Sequence, residues 1–589
     1  MHVQCRGPRH AEKMKPSPET LKGWVGKGRQ LVQQCLPFAR RFHKELLVFF
    51  SLLITLAAPY LLRPKQSTAP SRYDRRLVIM TPHHEKIRSE FARAFAAQWK
   101  KKTGETLYID WRVPGGTSEI AMFLKSEYGA AFENHWEKKL KKRWSNEIAG
   151  GFLRAKGSPD DSPEVSEARQ NFLNSDVGIG VDLFFGGGAF DFQQQADAGV
   201  LVASNGSKKA GPARVRAMHP DWFGDAAIPL SVGGEPYRDT EDRWVGTCLS
   251  SFGIVFNRDV LRRLGVEKEP SQWEDLADPK LFGQVALADP TKSGSVTKAF
   301  EMIIQQQMQK EINALKANSG KIRTDGEVEL EGVKRGWASG LQLIQRITAN
   351  ARYFTDSSTK IPLEVARGDA AAGMTIDFFG RSAEEEVRQK DGKSRVGFVT
   401  PVGGTSIGVD PIGMLRGAPE PELATAFIEF VLGDEGQRLW AYRAGVPGGP
   451  TRSALRRLPV RKDFYTEANA RIMTDGAEKP YEKASAFAYH PEWTSAMFNS
   501  IRFLIRVTCI DVHQEQQAAW SALIEGGMPE RATSFFHDTK LISYETTQNS
   551  FNHILKSRDK VQEVRLARKL SGLTRSQYER SIKQARAGR

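Results

Sequence analysis

The alternation of short apolar runs with amphipathic helical patterns is the feature that most constrains the fold of this chain. Residues 77–80 form a short apolar run, and large apolar residues then recur every four positions across residues 87–99. Apolar and polar residues alternate across residues 107–113, as in a half-buried strand, and residues 181–185 form another short run. This β-α-β-α-β order predicts an α/β fold with a mostly parallel sheet.

Polar or glycine-rich turns follow four of the predicted strands. Parallel sheets bind ligands at the carboxyl ends of their strands, and helix N-termini bind anions. Four such turns therefore predict a ligand-binding cleft, although hydroxyl side chains also cap helices and a glycine run also makes a plain loop. The candidate ligand-binding residues of these turns are Thr81, His83, His84, Gly116, Thr117, Ser118, Gly187, Gly188, Thr291, Ser293, Gly294 and Ser295.

A second α/β unit is predicted to begin near residue 253. A strand pattern over residues 253–257 leads into a helix, and residues 365–379 read as helix, turn, strand and polar end. Two lobes joined by crossing segments place a ligand site between them. At the polar end, Asp377 either accepts from a ligand hydroxyl or amine or anchors a turn. Phe378 is either core or a wall against the ligand.

The predicted organisation is a two-lobed fold preceded by an N-terminal membrane segment. Residues 125–175, which are highly charged and then rich in Pro and Ser, are interpreted as a surface insertion in the first lobe. The predicted segments are a basic cytoplasmic segment (1–45), an anchor or signal (46–62), a linker (63–75), lobe 1 (76–252), lobe 2 (253–395), a return to lobe 1 with C-terminal helices (396–555) and a basic tail (556–589).

Leu46 to Leu62 contains seventeen residues without a charge and is flanked by basic residues on both sides. This length is short for a membrane-spanning helix and long for the core of a signal peptide. The poor cleavage site favours an uncleaved anchor with its N-terminus in the cytoplasm, by the positive-inside rule. The remainder of the chain is then predicted to lie in the periplasm, with a cleaved signal as the alternative.

The net charge of +16 is concentrated at the two ends of the chain. Residues 1–45 carry ten basic and three acidic side chains, and residues 556–589 carry eleven basic and three acidic ones, so the body is nearly neutral. This distribution argues against nucleic acid as a partner. The basic tail is expected to be a solvated helix or a disordered end, or alternatively to dock on anionic lipid.

The sequence contains no metal-ligand spacing and no motif of a catalytic triad, P-loop or metalloprotease. We therefore expect a binding protein rather than an enzyme, without a metal ion or other cofactor. Cys248 and Cys509 are expected to be free buried thiols, with a disulfide between them as the alternative in an oxidising compartment.

Several linked motifs resemble the periplasmic solute-binding proteins of ABC importers, in the branch of the ferric-iron-binding proteins. They are the run Pro270-x-x-Trp273-x-Asp275-Leu276-x-Asp278-Pro279-Lys280-x-x-Gly283, the turn at residues 289–294, and the segments 365–381 and 410–440. The resemblance covers roughly residues 76–455. It implies a type II periplasmic-binding-protein fold, a monomer that closes on a small solute, and delivery of that solute to an inner-membrane permease.

The resemblance also implies where iron ligands would stand. They correspond to His84, to an acidic residue at about Gly187, and to two tyrosines at Phe378 and Phe379. Phenyl rings and glycine offer no anionic oxygen, so we predict that the chain does not bind iron through tyrosinates. The helix N-termini favour a small anion such as a sugar phosphate or phosphonate. Iron, a polyamine or thiamine, and a role as a membrane-anchored sensor, remain alternatives.

Overall fold

The computed structural model describes residues 48, 50–53, 55, 72–154, 161–318, 324–389, 391–557 and 559–587. The chain divides into Met1–Arg72 and Tyr73–Arg589, and the second unit is described below. The basic segment 1–45, most of the predicted anchor 46–62 and most of the linker 63–75 lie outside the described residues. No helix among the described residues is both long enough and apolar enough to cross a membrane.

The strands of the second unit are short and are distributed along most of its length. In chain order they are β1 (Arg75–Met80), β2 (Leu107–Arg112), β3 (Leu183–Phe185), β4 (Leu201–Val202), β5 (Ser204–Asn205), β6 (Lys208–Lys209), β7 (Ser231–Val232), β8 (Glu235–Pro236), β9 (Trp244–Ser250), β10 (Phe252–Asn257), β11 (Val285–Ala288), β12 (Ala351–Thr355), β13 (Ala372–Ile376), β14 (Val396–Val399), β15 (Gly408–Leu415) and β16 (Leu458–Pro459).

Helices connect these strands and make up most of the C-terminal part of the chain. In chain order the α-helices are α1 (Glu85–Thr103), α2 (Thr117–Asn134), α3 (Asn146–Gly151), α4 (Pro163–Leu173), α5 (Ala189–Asp197), α6 (Gly211–Met218), α7 (Arg258–Arg263), α8 (Gly294–Asn318), α9 (Asp325–Ala349), α10 (Ile361–Arg367), α11 (Asp377–Glu386), α12 (Pro421–Leu432), α13 (Asp434–Ala441), α14 (Glu467–Ile472), α15 (Pro480–Ala484), α16 (Pro491–Thr494), α17 (Phe498–Ile505), α18 (His513–Glu525), α19 (Glu530–Phe536), α20 (Tyr544–Thr546), α21 (Asn552–Ser557) and α22 (Lys560–Ala587).

Two sheets define two lobes. The first has the order β16-β9-β15-β3-β1-β2, with β4 beside β15, and the second has the order β12-β11-β13-β10-β14. The predicted α/β class is correct, and β1 pairs in parallel with β2 and with β3. The expectation of a mostly parallel sheet is wrong, because β15 returns from the second lobe and pairs antiparallel with β3, β4 and β9.

The chain crosses between the two sheets in two adjacent places, and after β16 of the first sheet it passes back to the second lobe, where α17 packs in the core. β9 belongs to the first sheet and β10 to the second, with Ser251 between them. The return was expected from residue 396, but β14 still pairs with β10 in the second sheet. The second crossing therefore lies in residues 400–407, and β15 is the first strand back in the first sheet.

Each lobe has its own apolar core. The first contains a cluster of aromatic rings from several elements, in which Phe91 packs against Trp440 and Phe185. Residues 125–175, expected as a surface insertion, add five buried rings to this core, namely Tyr128, Phe132, Trp136, Phe152 and Phe172. The charges of this segment lie on the outer faces of helices whose inner faces are apolar, which is why composition alone suggested a solvated insertion.

The C-terminal basic tail is a packed helix, α22, rather than a solvated or disordered end. It lies against α18, α19 and residues 506–510, which follow α17, and its buried residues recur every three or four positions. Leu570 joins the core of the second lobe, and Tyr578 is fully buried in a neighbouring cluster. The basic side chains occupy the remaining face of the helix.

Replacing Leu570 with alanine should therefore destabilise the second unit. Leu570 is 4% exposed, and removing a buried leucine side chain costs about 2–5 kcal/mol. Leu573→Ala on the same helix is the matched control, because Leu573 is 39% exposed and such sites change stability by about 0.5 kcal/mol or less. Chemical denaturation of the two variants measures both values. Equal losses would show that α22 is not packed as described.

Candidate functional site

A cavity of about 690 Å³ lies between the two lobes. The carboxyl ends of strands from both sheets and the turns after them form its walls, as expected for parallel strand–helix units. Ten of the residues predicted from sequence line it, and they are His83, His84, Gly116, Thr117, Gly187, Gly188, Ser293, Gly294, Ser295 and Phe378. The structure therefore brings residues from all four predicted turns to one place.

Three helices begin at the cavity wall, namely α2 after Gly116, α5 after Gly188 and α8 at Gly294. No side chain caps α2 or α5, so the first N–H groups of these helices lack a side-chain acceptor. At α8, the Ser293 hydroxyl accepts from the Val296 N–H at 3.4 Å, as the capping interpretation predicts. The aligned peptide dipoles give all three helix starts a partial positive charge.

His83 and His84 stand side by side in different environments. The ring of His83 is 5% exposed and meets Phe185 edge-on at 4.7 Å, and its Nε2 has no hydrogen-bond partner among the described residues. Burial, together with the charges of Arg457 and Arg88, lowers the pKa of His83 well below its ordinary value. His84 is exposed, and its Nδ1 caps α1 by accepting from the Lys86 N–H at 3.3 Å.

Three predicted hydroxyl residues are outside the cavity wall and bond to other protein groups. The Thr81 hydroxyl accepts from the His83 N–H at 3.0 Å. The Thr291 hydroxyl donates to Asp289 at 2.7 Å. The Ser118 hydroxyl accepts from Arg502 at 3.5 Å. These side chains shape the turns, while their neighbours face the cavity.

Asp377 is also outside the cavity wall, so it anchors a turn, which was the alternative that the sequence left open. One carboxylate oxygen accepts from Arg381 at 2.9 Å and the other accepts from the Phe378 N–H at 2.8 Å. Its side chain is almost fully buried, with Arg381 alongside. The partners of both oxygens come from the start of the same helix, α11, which Asp377 begins.

Arg457 is the main cavity residue that the sequence analysis missed. It is 4% exposed, and its Nη2 donates to Asp410 at 2.6 Å. Its Nε and Nη1 are buried without a partner among the described residues, and its guanidinium lies 3.7 Å from the ring centre of Phe378. Burial opposes the charge, but Asp410 outweighs it and keeps the pKa of Arg457 above its ordinary value. Arg457 follows no turn pattern, so only the fold brings it here.

Lys298 also lines the cavity, but other groups of the protein hold its charge. Its Nζ lies 2.8 Å from Glu235 and 3.1 Å from Glu301, and 3.4 Å from the ring centre of Tyr489. Burial disfavours the charged ammonium, but the attraction of the two carboxylates is stronger than this effect. The pKa of Lys298 is therefore raised. Glu235 comes from β8, Lys298 from α8 of the second lobe, and Tyr489 from the C-terminal part, so the cluster joins three regions.

No group of three or more His, Cys, Asp or Glu side chains within the described ranges is arranged to hold a metal ion. Phe378 and Phe379, at the positions implied for iron-binding tyrosines, both line the cavity. Cys248 and Cys509 are buried and free, so the disulfide alternative is wrong. The wall combines hydrogen-bond donors with partly paired charges and with carboxylates such as those of Glu119 and Asp191.

The structure thus combines two α/β lobes with a cavity of small-molecule size between them. Residues 223–466 match the family model described as "Bacterial extracellular solute-binding protein". This match confirms the resemblance to solute-binding proteins that the sequence motifs predicted.

The curated relatives are distant and longer than the aligned region. A protein of Haemophilus influenzae is 24% identical over 245 residues, which are 38% of this chain and 61% of the relative. The phosphoglycerate transport regulatory protein PgtC of Salmonella typhimurium is 20% identical over 197 residues, 33% of this chain and 40% of PgtC. The aligned part of this chain therefore spans about three-fifths of the length of the Haemophilus influenzae protein and about two-fifths of the length of PgtC.

Solved structures of periplasmic binding proteins are also similar to this chain. AfuA from Actinobacillus pleuropneumoniae, with fructose-6-phosphate bound, is 17% identical with a TM-score of 0.44, covering 74% of this chain and 99% of AfuA. Iron-bound HitA from Pseudomonas aeruginosa is 15% identical with a TM-score of 0.41, covering 72% and 98%.

The buried His83 should make stability depend on pH. Because its pKa is lowered in the folded state, the unfolded chain binds a proton below about pH 6.5 that the folded chain does not. This term lowers the free energy of unfolding as the pH falls, by at most roughly 1.4 kcal/mol per unit. His83→Gln should remove it, and denaturation from about pH 7 to about pH 5 measures the difference in slope between this variant and the wild type.

His84→Gln is the matched control, because the side chain of His84 is exposed and its neighbour's is not. It measures how the same substitution changes the slope at an exposed position. A wild-type slope in His83→Gln would show that His83 is protonated equally in the folded and unfolded states.

Proposed function

We propose that this chain is the extracytoplasmic solute-binding protein of an ABC importer, and that it captures a small anion such as a sugar phosphate or phosphonate between its lobes. The observation that carries the proposal is the convergence of three helix N-termini and the partly unpaired guanidinium of Arg457 on one cavity. The site residues are those that line the cavity, without a cofactor or catalytic group.

The need of Arg457 for a further acceptor supports an anionic ligand. A buried N–H without a partner costs free energy, and a guanidinium nitrogen more than a neutral one. Phosphate and phosphonate oxygens accept strong, charge-assisted hydrogen bonds from arginine and from helix N-termini. A ligand of this kind would satisfy Nε or Nη1 of Arg457 and the free N–H groups of α2 and α5.

The size of the cavity supports a small molecule rather than a macromolecule. About 690 Å³ falls in the ordinary range of small-molecule sites. The name of PgtC, which refers to phosphoglycerate transport, agrees with an organic phosphate. Closure of the lobes by a hinge at the two crossings would enclose such a ligand. We propose a monomer, tethered to the inner membrane through residues 46–62, that delivers the solute to a permease.

A second candidate is a membrane-anchored sensor that binds the same solute and signals to a partner. The specific observation in its favour is that PgtC is named a transport regulatory protein. Both functions need the same ligand, so a binding measurement does not separate them. Purification of the full chain with a permease and ATPase supports transport, whereas purification with a signalling kinase supports sensing.

Ligand binding should stabilise the full chain in detergent. Thermal unfolding would be recorded with phosphate, sugar phosphates, phosphonates, polyamines, thiamine and ferric citrate. A ligand at a hundred times its dissociation constant adds about 2.7 kcal/mol. We expect this shift with a phosphorylated or phosphonylated solute. Ser293→Ala with Ser295→Ala should weaken binding roughly a hundredfold or more, because each hydroxyl is worth about 1.5–3 kcal/mol against a charged acceptor.

Thr291→Ala is the control, since its hydroxyl bonds to Asp289 and is outside the cavity wall. Its binding should equal that of the wild type. A shift with ferric citrate or an amine alone would contradict the anionic ligand, and a shift with no compound of the panel would contradict capture of these solutes altogether.

A further inference from the structure

A buried carboxylate faces the cavity at Asp191, in the first turn of α5. Asp191 is 8% exposed and lines the cavity. Its carboxylate has no hydrogen-bond or ion-pair partner in the part of the chain that the structure describes, and burial raises its pKa while the charge of Arg502 opposes that shift. Burying an ionised group without a partner is costly, so this carboxylate requires an explanation.

Stabilisation of the helix dipole is the simplest role for an acidic residue at this position. It does not account for the burial, because an exposed carboxylate in the first turn would interact with the dipole equally well. Nor does Asp191 cap α5, which has no side-chain cap. The position of the carboxylate on the cavity wall points instead to a bound group.

Arg502 approaches the same place from α17, which follows the segment matched by the family model. Its Nε donates to Thr297 at 3.0 Å and its Nη1 donates to Ser118 at 3.5 Å. Its Nη2 is enclosed without a partner among the described residues. The guanidinium therefore touches α8 of the second lobe and α2 of the first, and has one N–H group to spare.

Gly294 shows how close the free atoms of Asp191 and Arg502 lie to each other. A Cβ placed on Gly294 would be 3.3 Å from Oδ2 of Asp191 and 3.4 Å from Nη2 of Arg502. Yet within the described ranges these two opposite charges form no ion pair, so a gap separates them. Gly294 is the first residue of α8. The gap is therefore next to one of the three helix N-termini that favour an anion.

We propose that Asp191 and Arg502 together bind a hydroxyl group of the ligand. A hydroxyl that enters the gap beside Gly294 donates to Oδ2 of Asp191 and accepts from Nη2 of Arg502, which lies behind the cavity wall. Of a hydroxyl, an ammonium and a carboxylate, only the hydroxyl both donates and accepts. The inference rests on the proposed function and makes the ligand a hydroxylated phosphate or phosphonate, with a hydroxyl near its anionic group.

The C-terminal helices thereby take part in ligand recognition. Met497, Ile501 and Leu504 fix α17 in the core of the second lobe. On the same helix, Phe498 lines the cavity and packs against Phe190 of the first lobe, with ring centres 4.4 Å apart. The helix that carries Arg502 is therefore packed against both lobes. This packing fixes the position of the guanidinium and of its unpaired Nη2.

The test compares hydroxylated phosphates with a phosphate that lacks hydroxyl groups on carbon. Calorimetry would measure binding of fructose 6-phosphate, glycerol 3-phosphate and n-propyl phosphate to the full chain. We expect Asp191→Asn to weaken binding of the hydroxylated ligands at least tenfold, and to leave n-propyl phosphate unchanged or tighter, because a negative charge has been removed. Asp197→Asn, on the same helix and outside the cavity wall, is the charge-matched control and should match the wild type.

A double-mutant cycle with Arg502→Gln tests whether the two side chains hold the same group. If they share one hydroxyl, the losses of binding free energy in the two single variants add up to more than the loss in the double variant. The reason is that the second substitution has no interaction left to remove. Additive losses would overturn the shared site. Thermal unfolding of each variant without ligand verifies that all of them fold.

The remaining outcomes separate this inference from the proposed function. If the wild type binds all three phosphates equally, or if Asp191→Asn weakens n-propyl phosphate as much as the others, the anion site stands and the hydroxyl site is wrong. If the wild type binds none of them, the proposed function fails and the hydroxyl site fails with it.

Discussion

The chain crosses twice between two sheets, and the rest of the site depends on this constraint. Ser251 and residues 400–407 are the crossings, and they are bonded to each other where the Phe252 N–H donates to the Thr405 hydroxyl at 3.3 Å. Because the two crossings lie side by side, each sheet packs its own apolar core. The carboxyl ends of strands from both lobes then face a common space, and the turns after those strands become the walls of one cavity.

Charged groups hold the two lobes together around that space. Lys298 joins the first lobe through Glu235 and the C-terminal part through Tyr489, while Ser406 of the second crossing donates to Glu235 at 2.5 Å. Such a buried cluster is stable only because each ion has partners. Lys298 is paired in this way, whereas Arg457 and Asp191 are not fully paired, so the latter two remain available to a ligand.

The division between paired and unpaired charges was not visible in the sequence. Asp377 was considered as an acceptor for a ligand hydroxyl. In the structure it forms an ion pair with Arg381, which lies four residues later on the same helix. Asp191 has Gln195 rather than a basic residue four positions later, and Arg502 forms no ion pair with it. The pair of Asp377 and Arg381 is local, whereas the surroundings of Asp191 depend on Arg502, which is hundreds of residues away, and local sequence patterns do not contain that information.

The sequence by itself determined the two α/β units, the strand ends that carry polar turns, and the resemblance to solute-binding proteins. These features follow from hydrophobic periodicity and turn chemistry, which act between neighbouring residues. The tertiary structure decided that the sheets are mixed, that residues 125–175 and the basic tail are packed, that Arg457 and Asp191 line the cavity, and that Arg502 lies close to Asp191 behind the wall. Each of these depends on packing between segments distant in the chain, because burial and charge pairing are set by three-dimensional neighbours.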